Sequence, residues 1–527
     1  MENLAARKGA GMSARAIIQG VRGLERGVSL GQPFGLLASS LGELSYSPTP
    51  TMGKPETLGG SGRVRACRQG QETMERPNII YIVAHDLGRM LGCYGRGFES
   101  PNLDRFAREG ARFNKTFCTT TACSPSRGCA WTGQYAHNNG LMGLVNRGWS
   151  LPVERRTIVD LMKDAGYHTT LVGLDHVRKF REDHRFDEYL PGDPRTAVAV
   201  DNAVEWLRGR EDDNSPFYLN MGTIEVHGSQ WGTFFANREE GGANPPLDRY
   251  GWKDVERTPV PPTFKDAPQV REEMANYQEC IRYLDYHLGR FFNVIDRLGF
   301  RENTIIMFNT DHGMEGLRGK GTLYELGMEI TCMMRGPGIK AGTQVNHMVQ
   351  NIDYVPSFLD AIGAPIPDDI DGQSFWPLLS GESYTPKERI YAERNWHGPR
   401  NDPMRSVRTE KYHLIKNFDT SLKTAYPPET VPEVKETFAS YPSSLFPRGT
   451  DPRPEIELFD LEKDPHDWNN VAEDPALADV REDLLASLEK WMQDTNDPLL
   501  DGEIPNELNG WPDSQTHPLP GAGWQGS

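Results

Sequence analysis

Two short segments place acidic and imidazole side chains directly after runs of β-branched and aromatic residues. His85 and Asp86 follow the run NIIYIV, and Asp311 and His312 closely follow the run TIIMF. Carboxylate oxygens and imidazole nitrogens are common ligands of divalent metals. A single Asp after a strand is more often a turn or helix-capping residue. Two clusters of the same kind in one chain nevertheless predict a divalent metal site.

A third segment, between these clusters, contains a cysteine in an uncommon setting. Cys123 opens the sequence CSPSR, which ends at Arg127. By itself the pattern is compatible with a buried thiol beside a turn, since Pro125 and Gly128 favour a chain reversal. Its position shortly after a strand that ends in His-Asp makes the pattern specific, and we expect residue 123 to take part in the chemistry.

These clusters need a scaffold that brings them together. The runs 78–83 and 304–308 are short and apolar, as in strands buried on both faces of a parallel sheet, and 168–172 is a further predicted strand. Helical patterns at about 157–165 and 273–292 lie between them. Strands that alternate with helices predict an α/β fold with a large, mostly parallel sheet flanked by helices, and sites in such folds form at the carboxyl ends of the strands.

The pattern changes at both ends of the chain. Beyond about residue 385, short strand patterns separated by turns precede one amphipathic helix at about 477–492, which predicts a smaller α+β domain. Residues 1–75 are rich in Gly, Ser, Arg and Pro and suggest a disordered or mis-assigned extension, with Met74 as an alternative start. We therefore expect four parts: an extension (1–75), a catalytic α/β domain (76–385), a C-terminal α+β domain (386–500) and an irregular tail (501–527).

Composition excludes several classes of protein. The 527 residues carry a net charge of −17, which argues against a nucleic-acid binder or a protein that binds anionic membranes. Seven cysteines do not form a disulfide framework. The sequence shows no signal peptide and no apolar run of about 18 residues, so the default expectation is a cytoplasmic protein.

The sequence resembles the type I sulfatases of the alkaline phosphatase superfamily. CSPSR resembles the signature in which the cysteine is oxidised to formylglycine. Residues 77–95 (PNIIYIVAHDLGRMLGCYG) and 101–111 (PNLDRFAREGA) resemble the segments that precede the signature, and 308–313 (FNTDHG) resembles the second metal-binding loop. The segments 402–408 (DPMRSVR), 458–470 (LFDLEKDPHDWNN) and 491–498 are similar to the heparan N-sulfatase (sulfamidase) branch.

The resemblance implies a set of site residues. The metal ligands would be Asp86, Asp311, His312, residue 123 and His85. The catalytic residues would be Cys123, as formylglycine, and Arg127, His227, Lys320 and His176. A hydroxyl of the formylglycine hydrate would attack sulfur, His227 (or His176) would protonate the leaving group, and the second hydroxyl would expel sulfate.

Two positions depart from the family pattern. His85 occupies the place of an aspartate, and because calcium prefers oxygen ligands, Mn²⁺ or Zn²⁺ is an alternative to the Ca²⁺ that the family implies. Leu174 occupies the place of a sulfate-contacting lysine. Either Arg178 or Lys179 supplies the missing positive charge, or the substrate differs from that of the family.

We therefore expect a sulfatase that acts on a sulfated sugar, such as N-sulfoglucosamine, or on a small sulfated substrate. A formylglycine-generating enzyme would be its maturation partner. A phosphonate or phosphate ester hydrolase of the same superfamily and a non-catalytic binder of sulfated glycans are the alternatives. The C-terminal resemblance further suggests that Arg405 or Arg408 contacts the substrate; the alternative is that one of them only pairs with a carboxylate such as Glu393.

Overall fold

A computed structural model describes residues 76–227, 253–264, 266–315, 318–397, 401–421 and 453–505. The expected extension at 1–75 and most of the expected tail lie outside these residues. Within them, a mixed sheet of eight mostly parallel strands has the order β5-β4-β6-β1-β7-β8-β2-β9. Its strands are β1 Asn78–Ala84, β2 Ala111–Phe113, β4 His168–Gly173, β5 Glu188–Tyr189, β6 Phe217–Gly222, β7 Thr304–Thr310, β8 Cys332–Arg335 and β9 Thr343–Val345. A two-stranded sheet pairs β3 Thr116–Phe117 with β10 Val349–Gln350.

The four central strands run parallel and end at one edge of the sheet. In register, Val83 of β1 lies opposite Asn309 of β7 and Gly222 of β6, and Gly222 lies opposite Gly173 of β4. A Cβ at residue 222 would come within 1.8 Å of the Leu174 carbonyl oxygen, so only glycine permits this close approach. The segments that follow all four strands therefore start side by side.

Both faces of the large sheet are buried, which explains the continuous apolar runs. Along β1, Ile79 and Tyr81 pack into one core while Ile80 and Ile82 pack into the other. The helices are α1 Pro101–Glu109, α2 Cys123–Thr132, α3 Ala136–Asn139, α4 Ile158–Asp164, α5 Thr196–Arg208, α6 Pro268–Arg297, α7 Glu325–Met328, α8 Tyr354–Ala361, α9 Trp376–Ser380 and α10 Ala478–Asp494. The predicted α/β fold with helices flanking a mostly parallel sheet is confirmed.

The C-terminal part forms a separate antiparallel sheet, as the sequence predicts. Its strands, in spatial order, are β11 Ile390–Trp396, β12 Asn401–Arg408, β13 Tyr412–Asn417 and β14 Ile456–Asp460. The apolar side chains of this sheet and of α10, among them Val407, Leu414, Leu458, Leu488 and Trp491, form a third core. None of the helices in the described part of the chain is both long and apolar enough to cross a membrane.

Candidate active site

Five potential metal ligands converge at the carboxyl edge of the large sheet. β1 and β7 are neighbours, so the segments that follow them meet. The ligand atoms of His85, Asp86, Cys123, Asp311 and His312 all lie within 4.8 Å of one another, and all five residues are buried. The structure thus brings together all five residues that the sequence analysis expects at the metal.

Two buried cations balance the two carboxylates. Lys320 Nζ donates to Asp86 Oδ2 at 2.7 Å, and Arg127 Nε donates to Asp311 Oδ2 at 3.1 Å. Burial by itself raises the pKa of both carboxyl groups, but Lys320 beside Asp86, and Arg127 with neighbouring imidazoles beside Asp311, hold both pKa values below their usual range. Both carboxylates are therefore ionised at neutral pH, as metal ligands must be.

The two histidines of the cluster are oriented by short contacts. His85 Nδ1 lies 2.5 Å from Asp86 Oδ1 and 3.4 Å from Asp311 Oδ2. Burial lowers the pKa of His85 to about 3, so its imidazole is neutral. The Nδ1 atom of His312 lies 2.9 Å from the Gly313 carbonyl oxygen, which leaves its Nε2 atom facing the cluster, 3.2 Å from Asp86 Oδ1. Two imidazole nitrogen donors thus accompany two carboxylates.

Cys123 is the first residue of helix α2, and not part of a turn as the sequence analysis expects. The Gly133 N–H closes the helix by donating to the Cys129 carbonyl oxygen, and Ser126 Oγ donates to the Asp311 carbonyl oxygen. Cys123 is only 3% exposed, and its Sγ lies 3.3 Å from His312 Nε2. Burial raises the pKa of this thiol far above neutral pH, so the unmodified side chain is a protonated thiol and a weak nucleophile.

A cavity of about 180 Å³ opens beside the cluster. His85 lies in its wall, together with His176, His227 and Leu174. The His227 side chain is 43% exposed, and its Nε2 lies 3.9 Å from Asp86 Oδ2. The pKa of His176 falls to about 4, because burial and the nearby Arg127 disfavour its charged form. The expected histidines therefore share one cavity, with Leu174 in its wall.

Arg178 and Lys179 also line the cavity, but they differ in their contacts. Arg178 is buried and donates to the backbone carbonyl oxygens of Pro152, Arg155 and Asp183. The Nη1 and Nη2 donors of Arg178 therefore hold the loop together, whereas its Nε atom has no hydrogen-bond partner among the described residues. Lys179 Nζ lies 5.4 Å from the centre of the Phe180 ring. That Arg178 or Lys179 supplies the positive charge of the missing lysine stays a prediction.

The expectation that Arg405 or Arg408 contacts the substrate is wrong, because both arginines pair with carboxylates inside the protein. Arg405 is fully buried and binds Asp497 through Nε at 2.5 Å and Nη2 at 2.8 Å, with Glu393 at 3.9 Å. Arg408 Nε donates to Glu325 Oε1 at 2.6 Å. Both arginines pair with carboxylates within the structure, and neither lines the cavity.

The sequence analysis missed the role of strand β11, which contacts several loops around the site. The Glu393 N–H donates to the Thr119 carbonyl oxygen at 2.8 Å, and Arg394 Nη1 donates to the carbonyl oxygen of Gly321, the residue after Lys320. His397 lies against Gly321, where a Cβ would come within 2.8 Å of its Nδ1. The alternation of apolar and polar residues along β11 indicates a strand but does not reveal these contacts with distant segments.

Arg181 was missed as well. It lines the same cavity as His176, and the sequence signal was the basic run Arg178-Lys179-x-Arg181 after the end of β4. Only Arg178 and Lys179 were considered, because one positive charge is enough to replace the missing lysine.

Comparison with known proteins agrees with the geometry. The sulfatase family model matches residues 77–364, more than half of the chain, and the model for the C-terminal part of N-sulphoglucosamine sulphohydrolase matches 313–427. An ulvan-active sulfatase of Formosa agariphila is 26% identical over 82% of each chain. Human N-sulphoglucosamine sulphohydrolase is 26% identical over 82% of this chain and 93% of its own length.

A solved structure of a protein in complex with its substrate, D-glucosamine-2-N,6-O-disulfate, superposes with a TM-score of 0.62. It is 22% identical and covers 81% of this chain and all of its own. At that identity the match shows a common fold. With the family model spanning the whole metal cluster and signature, the chain belongs to the sulfatase family.

Proposed function

We propose that this protein is a sulfatase that hydrolyses a sulfate ester or sulfamate on a sulfated sugar, with a divalent metal and formylglycine at residue 123. The observation that carries the proposal is the convergence of two carboxylates, two imidazoles and residue 123 within 4.8 Å. A structural ion-pair network would not need two imidazoles beside a cysteine that opens a helix.

The residues of the site fit both a divalent metal and a formylglycine at residue 123. Ionised Asp86 and Asp311 with the imidazoles of His85 and His312 form a donor set suited to a divalent cation. When bound, the metal supplies positive charge that stabilises anionic oxygens, and formylglycine, as its hydrate, supplies the attacking hydroxyl. The protonated thiol of unmodified Cys123 has no comparable reactivity, which supports modification at this residue.

The cations of the site hold the sulfate and residue 123. Arg127 uses Nε on Asp311, and among the described residues its Nη1 and Nη2 atoms have no hydrogen-bond partner. Because these donors are buried, they are available to an anionic oxygen of the substrate or to residue 123. Lys320 keeps its ammonium charged, since Asp86 outweighs the effect of burial and raises the pKa of the lysine. Its role is to offset the negative charge of the sulfate.

His227 is the proton donor that the arrangement favours. It lines the cavity and is partly exposed, so a leaving oxygen or nitrogen can reach it from the cavity side. His176 lines the same cavity, and burial lowers the pKa of both histidines, that of His176 to about 4. The partial exposure of His227, and not a difference in pKa, therefore favours it as the proton donor. We assign proton transfer to His227 and substrate contact to His176.

The donor set also bears on the metal. Since Ca²⁺ takes oxygen ligands and imidazole suits transition metals, His85 and His312 favour Mn²⁺ or Zn²⁺ over Ca²⁺. For the substrate, the similarity of residues 313–427 to the C-terminal part of N-sulphoglucosamine sulphohydrolase favours N-sulfoglucosamine.

The direct test is mass spectrometry of the peptide that contains residue 123, from protein made in a host with the maturation enzyme. Conversion of cysteine to formylglycine lowers the mass by about 18 Da because sulfur and one hydrogen pair are exchanged for oxygen. The same preparation is then assayed with an aryl sulfate, an aryl phosphonate and N-sulfoglucosamine. An unmodified thiol, or phosphonate cleavage without sulfate release, would overturn the sulfatase proposal.

A further inference from the structure

Three basic side chains that follow β4 form a cationic wall of the cavity. They are Arg178, Lys179 and Arg181, and among the described lining residues Asp175 is the only carboxylate. His176, in the same loop, adds no charge at neutral pH, because burial and Arg127 lower its pKa. A chain with a net charge of −17 thus presents a cationic surface inside its active-site cavity.

Arg181 is held in place but keeps donors available. Its Nη1 donates to the Leu190 carbonyl oxygen at 2.9 Å, and its guanidinium lies over the Tyr189 ring at 5.7 Å. Asp175 Oδ2 is 3.7 Å from Nε, beyond hydrogen-bond distance, and neither Nε nor Nη2 has a hydrogen-bond partner among the described residues. Asp175 itself accepts from the His176 N–H and lies 3.3 Å from His184. One carboxylate therefore serves several groups and only partly neutralises this wall.

This wall is not needed to hold the sulfate that is cleaved. Lys320 and Arg127 already contact the carboxylates of the cluster, and neither is among the residues that line the cavity. The cavity lining therefore joins His85, a member of the cluster, to a second set of cations, with Leu174 in the same lining. An arrangement of this kind fits a ligand with two anionic groups on one compact scaffold better than a ligand with one.

We propose that Lys179 and Arg181 bind a second anionic substituent of the substrate, either another sulfate on the same sugar or the carboxylate of a neighbouring uronic acid. The inference rests on the proposed function, because it names the class of substrate: a sugar with at least two negative charges. A guanidinium with free donors in a partly buried wall is well suited to the paired oxygens of either group.

The test compares three ligands: a monosulfated glucosamine, the same sugar with a second sulfate, and the monosulfated sugar linked to a uronic acid. Binding is measured by calorimetry on the Cys123→Ala variant, and kcat and KM are measured on the mature enzyme. We expect the wild-type site to prefer a dianionic ligand by about tenfold, the worth of one charge-assisted hydrogen bond. Comparison of the second and third ligands identifies which source of charge is bound.

Arg181→Gln and Lys179→Gln should each reduce this preference, mainly through KM, and the preference should weaken with added salt. Arg185→Gln is the matched control, since Arg185 is exposed on the same loop and is not among the cavity residues. Equal affinities for all three ligands in the wild type, or equal losses for monoanionic and dianionic ligands in Arg181→Gln, would overturn the inference. Preferential binding without any sulfate release would instead refute the proposed function and leave the anion site standing.

Discussion

Arg405 offers a direct test of whether the sulfamidase-like segment serves packing or substrate binding. Its guanidinium donates two hydrogen bonds to Asp497 and others to the carbonyl oxygens of Arg394 and Met404 and to Asn395 Oδ1. The side chains of Arg405 and Asp497 are fully buried. Arg405→Ala would leave the Asp497 carboxylate buried without its cation. Breaking a buried pair on one side costs about 3–5 kcal/mol, and we expect a loss of that size.

The loss is measured as the free energy of unfolding in urea, with KM for an aryl sulfate measured in parallel. The double variant Arg405→Met with Asp497→Leu should recover most of the loss, because an apolar pair of similar volume needs no compensating charge. Lys490→Ala is the control: the Lys490–Asp494 pair lies exposed on α10 and should contribute about 0.5 kcal/mol or less. A raised KM in Arg405→Ala with an unchanged free energy of unfolding would refute the packing role and indicate that Arg405 contacts the substrate.

Three further predictions follow from the site and its surroundings. Cys123→Ala should abolish sulfate release while leaving the thermal unfolding curve in place; turnover within tenfold of wild type would contradict a role in the reaction. His85→Asp should shift the affinity order of the metal-free protein towards Ca²⁺ relative to Mn²⁺, as measured by calorimetry, and an unchanged order would mean that His85 is no ligand. Burial by itself lowers the pKa of His137, but Glu393 at 2.9 Å outweighs it and raises that pKa. The protonated His137–Glu393 pair should therefore stabilise the fold fully below about pH 6.5, and this contribution should be lost as the pH rises through the folded pKa of His137. The difference in free energy of unfolding between wild type and His137→Gln should accordingly narrow from pH 6 to pH 9.

The sequence predicts those features that local patterns encode. The apolar runs that form β1 and β7 are continuous because both sheet faces are buried, and their polar ends identify Asp86 and Asp311 as neighbours. Helix α6 begins earlier and ends later than predicted, at Pro268 and Arg297, and its buried apolar stripe extends into the added turns through Val270 and Ile295.

Other features depend on contacts between distant segments. The CSPSR segment favours a turn locally, yet it forms the start of α2, where Ser126 binds the Asp311 carbonyl oxygen and Arg127 binds its carboxylate. The partners of Arg405 lie on other elements, including Asp497 beyond α10, and no spacing rule connects them. The cationic wall needs three neighbouring side chains to face one cavity, which only the folded loop after β4 determines.

The burial of Cys123 would limit the time available for the proposed conversion to formylglycine. A maturation enzyme could not reach a side chain that is 3% exposed, so it would have to act before the surrounding loops close. Those loops are joined through Glu393 to the C-terminal sheet, whose Arg405 depends on Asp497. At ribosomal rates of about 5–20 residues per second, the roughly 370 residues between Cys123 and Asp497 take roughly 20–70 seconds to synthesise. The late synthesis of the C-terminal sheet would leave residue 123 accessible for that interval, and slower translation would then raise the modified fraction.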